Sequence, residues 1–288
     1  MTTPVPQPYS NNAKITWCPG CGNFGILTAL KNAFINIQAK PEEVVLVGDI
    51  GCSSKLPYYV QTYSFGGLHG RVVPIACGIK LANHQLTVLA IGGDGGIYGE
   101  GGNHLLHAAR RNINITVLVH DNKVYALTKG QTSPTSEQGY KSDITPEGFR
   151  EKSFNPLIIS LSAGATFVAR GFADQPDVLT LIIIEAIKHP GFALVEILQP
   201  CVSFNKINTS EWYRQRLYAL QDEGGYDVND LSWALHKAQE WGDRIPIGIF
   251  YREERPTYES QLPAINEKPL KDLNIERIDI SSLLSSHR

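Results

Sequence analysis

Residues 86–104 read LTVLAIGGDGGIYGEGGNH, in which an apolar run leads into a glycine-rich turn and then into a helical pattern. Apolar runs of the same kind recur at residues 44–47, 115–119, 166–169 and 192–197. Helical patterns lie between the runs, at residues 25–36, 72–82, 103–111, 156–162 and 178–188. Continuous apolar strands that alternate with amphipathic helices indicate parallel pairing in a sheet covered on both faces. The sequence therefore predicts an α/β domain with a doubly wound parallel sheet.

The composition excludes two classes of partner. The 288 residues are 42% hydrophobic, and 26 basic against 28 acidic residues give a formal charge of −2. No basic run points to nucleic acid, and no window approaches the ~20 apolar residues needed to cross a bilayer. The first residues also lack the basic and apolar segments of a signal peptide. We expect a cytoplasmic protein with no nucleic-acid and no membrane partner.

Patterning along the chain predicts three parts. Residues 1–14 are polar and rich in proline, which predicts an N-terminal extension. Residues 15–252 contain all the strand and helix patterns and are expected to form one α/β domain. Residues 253–288 are polar with scattered prolines, so we expect a C-terminal tail that packs on the domain or on a partner chain.

Four of the five cysteines form a set with the spacing of metal ligands. Cys18 and Cys21 lie in WCPGCG, Cys52 in GCSSK and Cys201 in LQPC. A Cys-x-x-Cys turn completed by two distant thiolates suits an iron–sulfur cluster, and four thiolates also suit zinc. A thioredoxin-like dithiol and unrelated buried thiols remain alternatives. Cys77 has apolar neighbours on a predicted helix, so we interpret it as a core residue.

The glycine-rich turn predicts a phosphate site that needs a metal. The dinucleotide fingerprint Gly-x-Gly-x-x-Gly fails here, because Tyr98 occupies the position of its third glycine. Asp94 would repel a phosphate group unless a divalent cation lay between them. Asn122 follows the next predicted strand, so both side chains should lie at the same edge of the sheet. With the main-chain carbonyl of Val124 they would supply hard oxygen ligands for Mg²⁺. The alternative is that Asp94 caps the following helix.

These motifs together resemble a known family. The pattern Gly93-Asp94-Gly95 followed by Asn122 resembles the metal-diphosphate motif of thiamine diphosphate enzymes. With WCPGCG, GCSSK, LHGR, HAARRNIN, VYALTKGQ and LQPC added in this order, residues 15–252 resemble the β subunit of a 2-oxoacid:ferredoxin oxidoreductase. The resemblance implies a thiamine diphosphate-binding fold of the diphosphate-binding domain type.

The resemblance also implies roles for individual residues. It assigns Cys18, Cys21, Cys52 and Cys201 to a 4Fe–4S cluster, and Asp94, Asn122 and Val124 to Mg²⁺. Thiamine diphosphate would contact Gly51, Cys52, Ser53, His69, Gly93, Asp94, Gly95, Gly96, Asn122, Val124, Tyr125, Leu127 and Thr128. The candidate catalytic residues are Lys55, as counter-charge for the substrate carboxylate, and His69 and Arg71. A solvated surface position is the alternative for Lys55, and a structural role is the alternative for His69 and Arg71.

The activity implied is the CoA-dependent oxidative decarboxylation of a 2-oxoacid such as pyruvate, which yields acyl-CoA and CO₂. Electrons would pass through the cluster to ferredoxin. A partner α subunit, or an αγ fusion, would carry the pyrimidine-binding domain, so the expected unit is a heterodimer. Two other functions are weighed against this one. A thiamine-dependent decarboxylase or carboligase would not need four cysteines, and a zinc-binding interaction module would not need the glycine-rich turn.

Overall fold

The structure is a computed structural model that describes residues 9–273 and 279–286. Its centre is an eight-stranded sheet with the order β2-β1-β3-β4-β8-β7-β10-β9. A two-stranded ribbon of β5 and β6 stands apart from it. The strands are β1 (Val44–Gly48), β2 (Tyr63–Gly66), β3 (Thr87–Gly93), β4 (Thr116–Asp121), β5 (Val124–Tyr125), β6 (Gln131–Thr132), β7 (Phe167–Phe172), β8 (Ala193–Leu198), β9 (Leu217–Ala219) and β10 (Ile245–Arg252).

Six strands, from β2 to β7 in the sheet order, pair in parallel, which confirms the predicted α/β class. The five predicted strands are β1, β3, β4, β7 and β8. The prediction of a wholly parallel sheet needs one correction, because β10 pairs antiparallel to β7. The residues of β10 include Pro246 and Gly248, which are uncommon inside strands, so the sequence pattern there is weak.

The helices are α1 (Asn23–Asn36), α2 (Val72–Ala82), α3 (Gly102–Arg111), α4 (Pro156–Ser162), α5 (Pro176–Lys188), α6 (Ser210–Arg214), α7 (Leu231–Ala238), α8 (Pro263–Asn266) and α9 (Ser281–Ser286). The first five are the predicted helices, with boundaries within two residues. Proline begins α4 and α5, where its missing N–H costs no hydrogen bond. None of the described helices is long and apolar enough to cross a membrane.

The sheet is covered on both faces, as a doubly wound fold requires. Leu46 of β1 and Leu89 of β3 belong to the core that includes α1 and α5. Their neighbours Val45 and Val88 belong to the core that includes α2, α3, α4 and α7. Alternate residues of each strand therefore face opposite helical layers.

The carboxyl edge of the sheet gathers the segments that matter for function. Gly93 at the end of β3 is opposite His120 in β4, so Asp94 and Asn122 leave neighbouring strands at this edge. Asp49 follows β1 at the same edge, and Gln199 follows β8. In open α/β sheets, ligands bind outside the carboxyl ends of the strands.

The chain after β10 returns to the opposite end of the sheet. The left-handed residue Asn112 at the end of α3 donates from its side-chain amide to the carbonyls of Arg255 and Pro256, at 3.0 and 3.2 Å. The guanidinium of Arg255 donates to the carbonyl of Gly164. These contacts attach the beginning of the predicted tail to the domain. Residues 1–8, 274–278 and 287–288, in the predicted extension and tail, lie outside the described residues.

Candidate active site at the carboxyl edge of the sheet

The turn after β3 requires glycine for steric reasons. It begins at Asp94, continues through a π-helical turn from Gly95 to Glu100, and leads into α3. A Cβ atom on Gly95 would overlap the ring of Tyr125. A Cβ atom on Gly96 would overlap the carboxylate of Asp49. Only glycine, which has no Cβ atom, therefore allows the backbone at these two positions to approach Tyr125 and Asp49 so closely.

The carboxylate of Asp94 is buried and held by two hydroxyls. Its Oδ2 accepts hydrogen bonds from Ser133 Oγ at 2.5 Å and Thr135 Oγ1 at 2.7 Å. Burial, and then the nearby carboxylate of Asp121, raise the pKa of Asp94 to about 7. The side chain makes no capping hydrogen bond to the following turn, so the helix-cap alternative is wrong. A divalent cation would relieve this electrostatic strain.

The segment after β4 presents the other oxygen atoms. Asn122 Oδ1 accepts a hydrogen bond from the N–H of Val124 at 3.0 Å, and Lys123 between them adopts a left-handed φ of 62°. The carbonyl of Asn122 accepts from Asn205 Nδ2 at 3.1 Å. The ammonium of Lys123 donates to the carbonyl of Thr135 at 2.9 Å. This segment is therefore fixed by hydrogen bonds on both sides.

One cavity of about 110 Å³ collects these groups, and we call it the cofactor cavity. Every residue predicted to contact thiamine diphosphate lines it. Ile50 and Ala126 line it too, and neither was among the predicted contacts. The full set is Ile50, Gly51, Cys52, Ser53, His69, Gly93, Asp94, Gly95, Gly96, Asn122, Val124, Tyr125, Ala126, Leu127 and Thr128.

A row of ionisable groups lies beside the cofactor cavity, and two of its members, His69 and Tyr125, line it. His69 Nδ1 lies 3.5 Å from Asp49 Oδ2, and its Nε2 lies 3.5 Å from Glu100 Oε2. The hydroxyl of Tyr125 donates to the carboxylate of Glu100 at 3.1 Å. Burial raises the pKa of Asp49, whose Oδ1 accepts from the N–H of Gly70 at 2.8 Å. Sequence reasoning missed Asp49 and Glu100, although Asp49 follows β1 just as Asp94 follows β3.

Two of the predicted catalytic residues do not line the cofactor cavity. Arg71 donates from Nη1 to the carbonyls of Gly70 and Glu100, each at 3.3 Å, and so connects two turns. Lys55 donates from Nζ to Thr16 Oγ1 at 3.1 Å. Burial raises the pKa of the Cys52 thiol, and the positive charge of Lys55 lowers it by a smaller amount. Lys55 therefore lies on the side of the cysteines.

The four predicted ligand cysteines line a second cavity, of about 60 Å³, which we call the cysteine cavity. Trp17 Nε1 donates to the carbonyl of Cys52 at 2.7 Å and holds two of the contributing segments together. Burial raises the pKa of Cys21 to about 11, with smaller contributions from the charges of Cys201, Cys52 and Cys18. All four cysteines therefore belong to one site.

The fifth cysteine is separate. Cys77 packs with α2 against the hydrophobic core, as predicted, and burial raises its pKa to about 12. Among the described residues, no three or more His, Cys, Asp or Glu side chains are arranged as the ligands of a metal ion. The four predicted ligand cysteines line the cysteine cavity.

The two cavities share a wall. Cys52, Asn122 and Ala126 line both of them. A group bound among the thiols would therefore lie next to a group bound above the glycine-rich turn.

The fold and the cofactor cavity define a thiamine diphosphate-binding domain. Residues 49–197 match the family described as thiamine pyrophosphate enzyme, C-terminal TPP binding domain, and residues 201–267 match the family described as the C terminal of the pyruvate ferredoxin oxidoreductase beta subunit. The chain is 46% identical over 260 residues to the 2-oxoacid:ferredoxin oxidoreductase subunit beta of Sulfolobus sp, covering 86% of this chain and 85% of that one. It is 45% identical over 268 residues to subunit beta of 2-oxoacid:ferredoxin oxidoreductase 1 of Aeropyrum pernix, covering 90% and 84%.

A solved structure agrees over nearly the whole chain. The 2-oxoglutarate:ferredoxin oxidoreductase from Magnetococcus marinus, with 2-oxoglutarate, coenzyme A and succinyl-CoA bound, superposes with a TM-score of 0.90. Its identity is 37%, and the alignment covers 97% of this chain and 94% of that one. The chain belongs to the β subunits of the 2-oxoacid:ferredoxin oxidoreductases. This confirms the resemblance found in the motifs.

Proposed function

We propose that this chain, together with a partner chain, catalyses the CoA-dependent oxidative decarboxylation of a 2-oxoacid to acyl-CoA and CO₂, and passes electrons to ferredoxin. One observation carries the proposal: the cofactor cavity and the cysteine cavity share Cys52, Asn122 and Ala126 as a common wall. An enzyme that must remove electrons from a cofactor-bound substrate needs an acceptor beside that cofactor.

The cofactor cavity fits thiamine diphosphate with Mg²⁺. Asp94, the amide oxygen of Asn122 and the carbonyl of Val124 would hold the metal, since all three residues line one cavity and oxygen is the ligand that Mg²⁺ prefers. Asp94 Oδ1 makes no hydrogen bond among the described residues and is free to serve as the ligand atom. Bound thiamine diphosphate supplies the nucleophile and electron sink for decarboxylation of a 2-oxoacid.

The cysteine cavity fits an iron–sulfur cluster better than a single zinc ion. Zinc takes its thiolates at about 2.3 Å, so its four ligands must converge on one point. The four cysteines here line a space of about 60 Å³. A 4Fe–4S cluster fills such a space and would supply one-electron steps toward ferredoxin. Ser203 Oγ donates to the sulfur of Cys18 at 3.2 Å, and Gln199 Nε2 to that of Cys21 at 3.4 Å. Hydrogen bonds of this kind tune cluster potentials.

Lys55 is our candidate for binding the carboxylate of the 2-oxoacid. Its side chain is partly exposed and, within residues 9–273 and 279–286, its ammonium makes one hydrogen bond, to the hydroxyl of Thr16, which leaves donors for a substrate. His69 would orient groups on the cavity wall, held between Asp49 and Glu100. Arg71 would act indirectly, by holding the turn that carries His69. Leu127 and Thr128 would border the reacting end of the cofactor.

The surroundings of the cofactor cavity support a partner subunit. Large apolar side chains on β2 and beside the cavity are exposed: Ile50 by 48%, Tyr63 by 62%, Phe65 by 52%, Leu68 by 76% and Leu127 by 49%. An exposed apolar patch of this kind marks an interaction surface. We propose that an α subunit, or an αγ fusion, covers it as a heterodimer and brings the carboxylate that activates the aminopyrimidine ring.

The cytoplasm is the compartment we propose, because its reducing conditions keep ligand cysteines as thiols. All five cysteines are free in the structure. A thiamine-dependent decarboxylase or carboligase would leave the cysteine cavity without a role. A zinc-binding module would leave the cofactor cavity without a role.

The test is to produce the chain with and without its α subunit under anaerobic conditions. The complex should contain iron, sulfide and thiamine diphosphate and should reduce ferredoxin when given a 2-oxoacid and coenzyme A. Pyruvate and 2-oxoglutarate are the first substrates to compare. The isolated chain should show no turnover. Decarboxylation without ferredoxin reduction by the loaded complex would favour the non-oxidative alternative.

A further inference from the structure

A third cavity, of about 430 Å³, lies apart from the two sites described above. Its volume is in the range of small-molecule sites, about 300 to 1,000 Å³. It shares no lining residue with the cofactor cavity, yet both use the segment after β4. Asp121 and Lys123 line this cavity, while Asn122 and Val124 line the cofactor cavity. Alternate residues of one segment thus face two separate spaces.

The guanidinium of Arg170 lies in the wall of this cavity with a donor left over. The side chain, on β7, is only 2% exposed, and its Nε donates to Glu196 Oε2 on β8 at 2.6 Å. Its Cζ lies 5.4 Å from the ring centroids of both Trp241 and Phe250. Within the described residues, Nη1 is buried and has no hydrogen-bond partner. Buried donors are nearly always paired, so we expect a ligand to accept a hydrogen bond from this guanidinium.

The acidic groups around the cavity already have partners. Glu196 accepts from Arg170. Glu137 Oε1 accepts from Trp241 Nε1 at 3.0 Å, and Asp121 Oδ1 accepts from the main-chain N–H of Lys123 at 3.2 Å.

Of the two lysines at the cavity, only Lys152 has capacity to spare within the described residues. It is exposed at the cavity and forms no ion pair with any residue that the structure describes. The ammonium of Lys123 is already engaged, because it donates to the carbonyl of Thr135 and lies 3.6 Å from Glu137 Oε1 and 4.0 Å from Asp121 Oδ2. The unused hydrogen-bonding capacity of the cavity is therefore that of cationic donors, which suits an anion.

We propose that this cavity binds a small oxyanion, a carboxylate or a phosphate, with Arg170 Nη1 as the buried donor and Lys152 at the entrance. The planar guanidinium matches the oxygen spacing of either group. Because the cavity is separate from the cofactor cavity, the anion is a ligand additional to the thiamine cofactor and its substrate.

The experiment uses the complex loaded with thiamine diphosphate and Mg²⁺, so that the diphosphate position is occupied. Sodium phosphate and sodium acetate are titrated separately by calorimetry, with sodium chloride as the control for ionic strength. One binding event per chain is expected with phosphate or acetate, and the tighter of the two identifies the source of the oxyanion. Absence of binding by both anions would overturn the proposal.

Two variants locate the binding. Arg170→Met combined with Glu196→Met removes both charges together, because removing Arg170 alone would leave a buried, unpaired carboxylate. This double variant should bind the anion at least about tenfold more weakly. Lys152→Glu changes an exposed side chain and should weaken binding about threefold. Lys268→Glu, at an exposed position outside the cavity, should leave binding unchanged.

Thermal melting and thiamine content identify any variant that has lost its fold. If the double variant does not fold, the comparison of Lys152→Glu with Lys268→Glu decides the matter alone. Binding that is equal in all folded variants would show an adventitious ion only.

Discussion

Asp94 and Asp121, which end neighbouring strands, share one hydroxyl group. Thr135 Oγ1 lies 2.7 Å from Asp94 Oδ2 and 2.6 Å from Asp121 Oδ1. A hydroxyl has a single proton, so it cannot donate to both carboxylates at once. One carboxylate is left facing an oxygen lone pair whenever the other is satisfied. Two buried acids in this relation need either a proton or a cation between them, which supports the magnesium site proposed at Asp94.

Asp94→Ala should abolish the Mg²⁺-dependent binding of thiamine diphosphate, with a loss of affinity of at least about a hundredfold. The fold should survive, because the site lies on loops beyond the sheet and the substitution also relieves repulsion with Asp121. Calorimetric titration of the complex with the cofactor measures this. Asp143→Ala, at an exposed position, is the control. Unchanged affinity in Asp94→Ala would mean that the metal is bound elsewhere.

Gly96→Ala should prevent cofactor binding, because its methyl group would overlap the carboxylate of Asp49 and crowd His69. Gly102→Ala is a matched control in the same glycine-rich segment, since a Cβ atom there meets nothing within 4 Å. Thiamine content after purification should fall in the first variant and stay normal in the second. Equal thiamine content in both would show that the close packing around Gly96 is dispensable.

Cys201→Ser should lose or degrade the cluster, whereas Cys77→Ser should leave it intact. Cys201 lines the cysteine cavity, and Cys77 packs against the core with α2. Iron and sulfide analysis of anaerobic protein should give about four of each per chain for the parent and for Cys77→Ser. Stoichiometric zinc without sulfide in the parent protein would end the iron–sulfur assignment.

Lys55→Ala should raise KM for the 2-oxoacid about tenfold to a hundredfold, since a charge-assisted hydrogen bond contributes about 1.5 to 3 kcal/mol. Iron content and thiamine binding should remain normal. Lys268→Ala, another exposed lysine, controls for a general loss of charge. If only the response to coenzyme A changed, Lys55 would be reassigned to that substrate. Unaltered kinetics would return it to the solvated surface.

The stability of the complex should fall as the pH falls from about 6.5 to about 4, in part through His189. Burial lowers the pKa of this imidazole to about 4, and its Nε2 lies 2.8 Å from Thr166 Oγ1. In this pH window the unfolded chain binds a proton that the folded chain does not, so stability rises with pH.

The thermal midpoint of the complex, measured at pH 6.5 and pH 4.5, tests the role of His189. His189→Gln should show a smaller difference between the two midpoints than the parent. His236→Gln, an exposed histidine, should show the same difference as the parent. If the thermal midpoint of His189→Gln changed between pH 6.5 and pH 4.5 by as much as that of the parent, this histidine would be excluded as the cause.

Burial decided which parts of the fold could be predicted. Strands β1, β3, β4, β7 and β8 lie inside the sheet with helices on both faces, so their apolar runs are unbroken. All four residues of β2 are exposed, so this strand lacks the continuous apolar run of the buried strands.

The residues of the candidate site that lie in sequence motifs could be predicted. Those that reach the site only through the packing of distant segments could not. The motifs led to Asp94, Asn122 and the four cysteines. Ser133 and Thr135, which hold Asp94, come from an irregular segment about forty residues later, and no periodicity marks them. Asp49 could not be ranked above other acidic residues until its contact with Gly96 was known.

The alternation along residues 121–124 restricts how this family can change in length. Asp121 and Lys123 line the third cavity, and Asn122 and Val124 line the cofactor cavity. Each residue of the segment must therefore face a particular cavity. Insertion or deletion of one residue here would exchange the two sides. It would direct Lys123 toward the cofactor cavity and withdraw Asn122 from it. Homologous chains should therefore tolerate substitutions in this segment but not gaps, while the loops before and after it are free to vary in length.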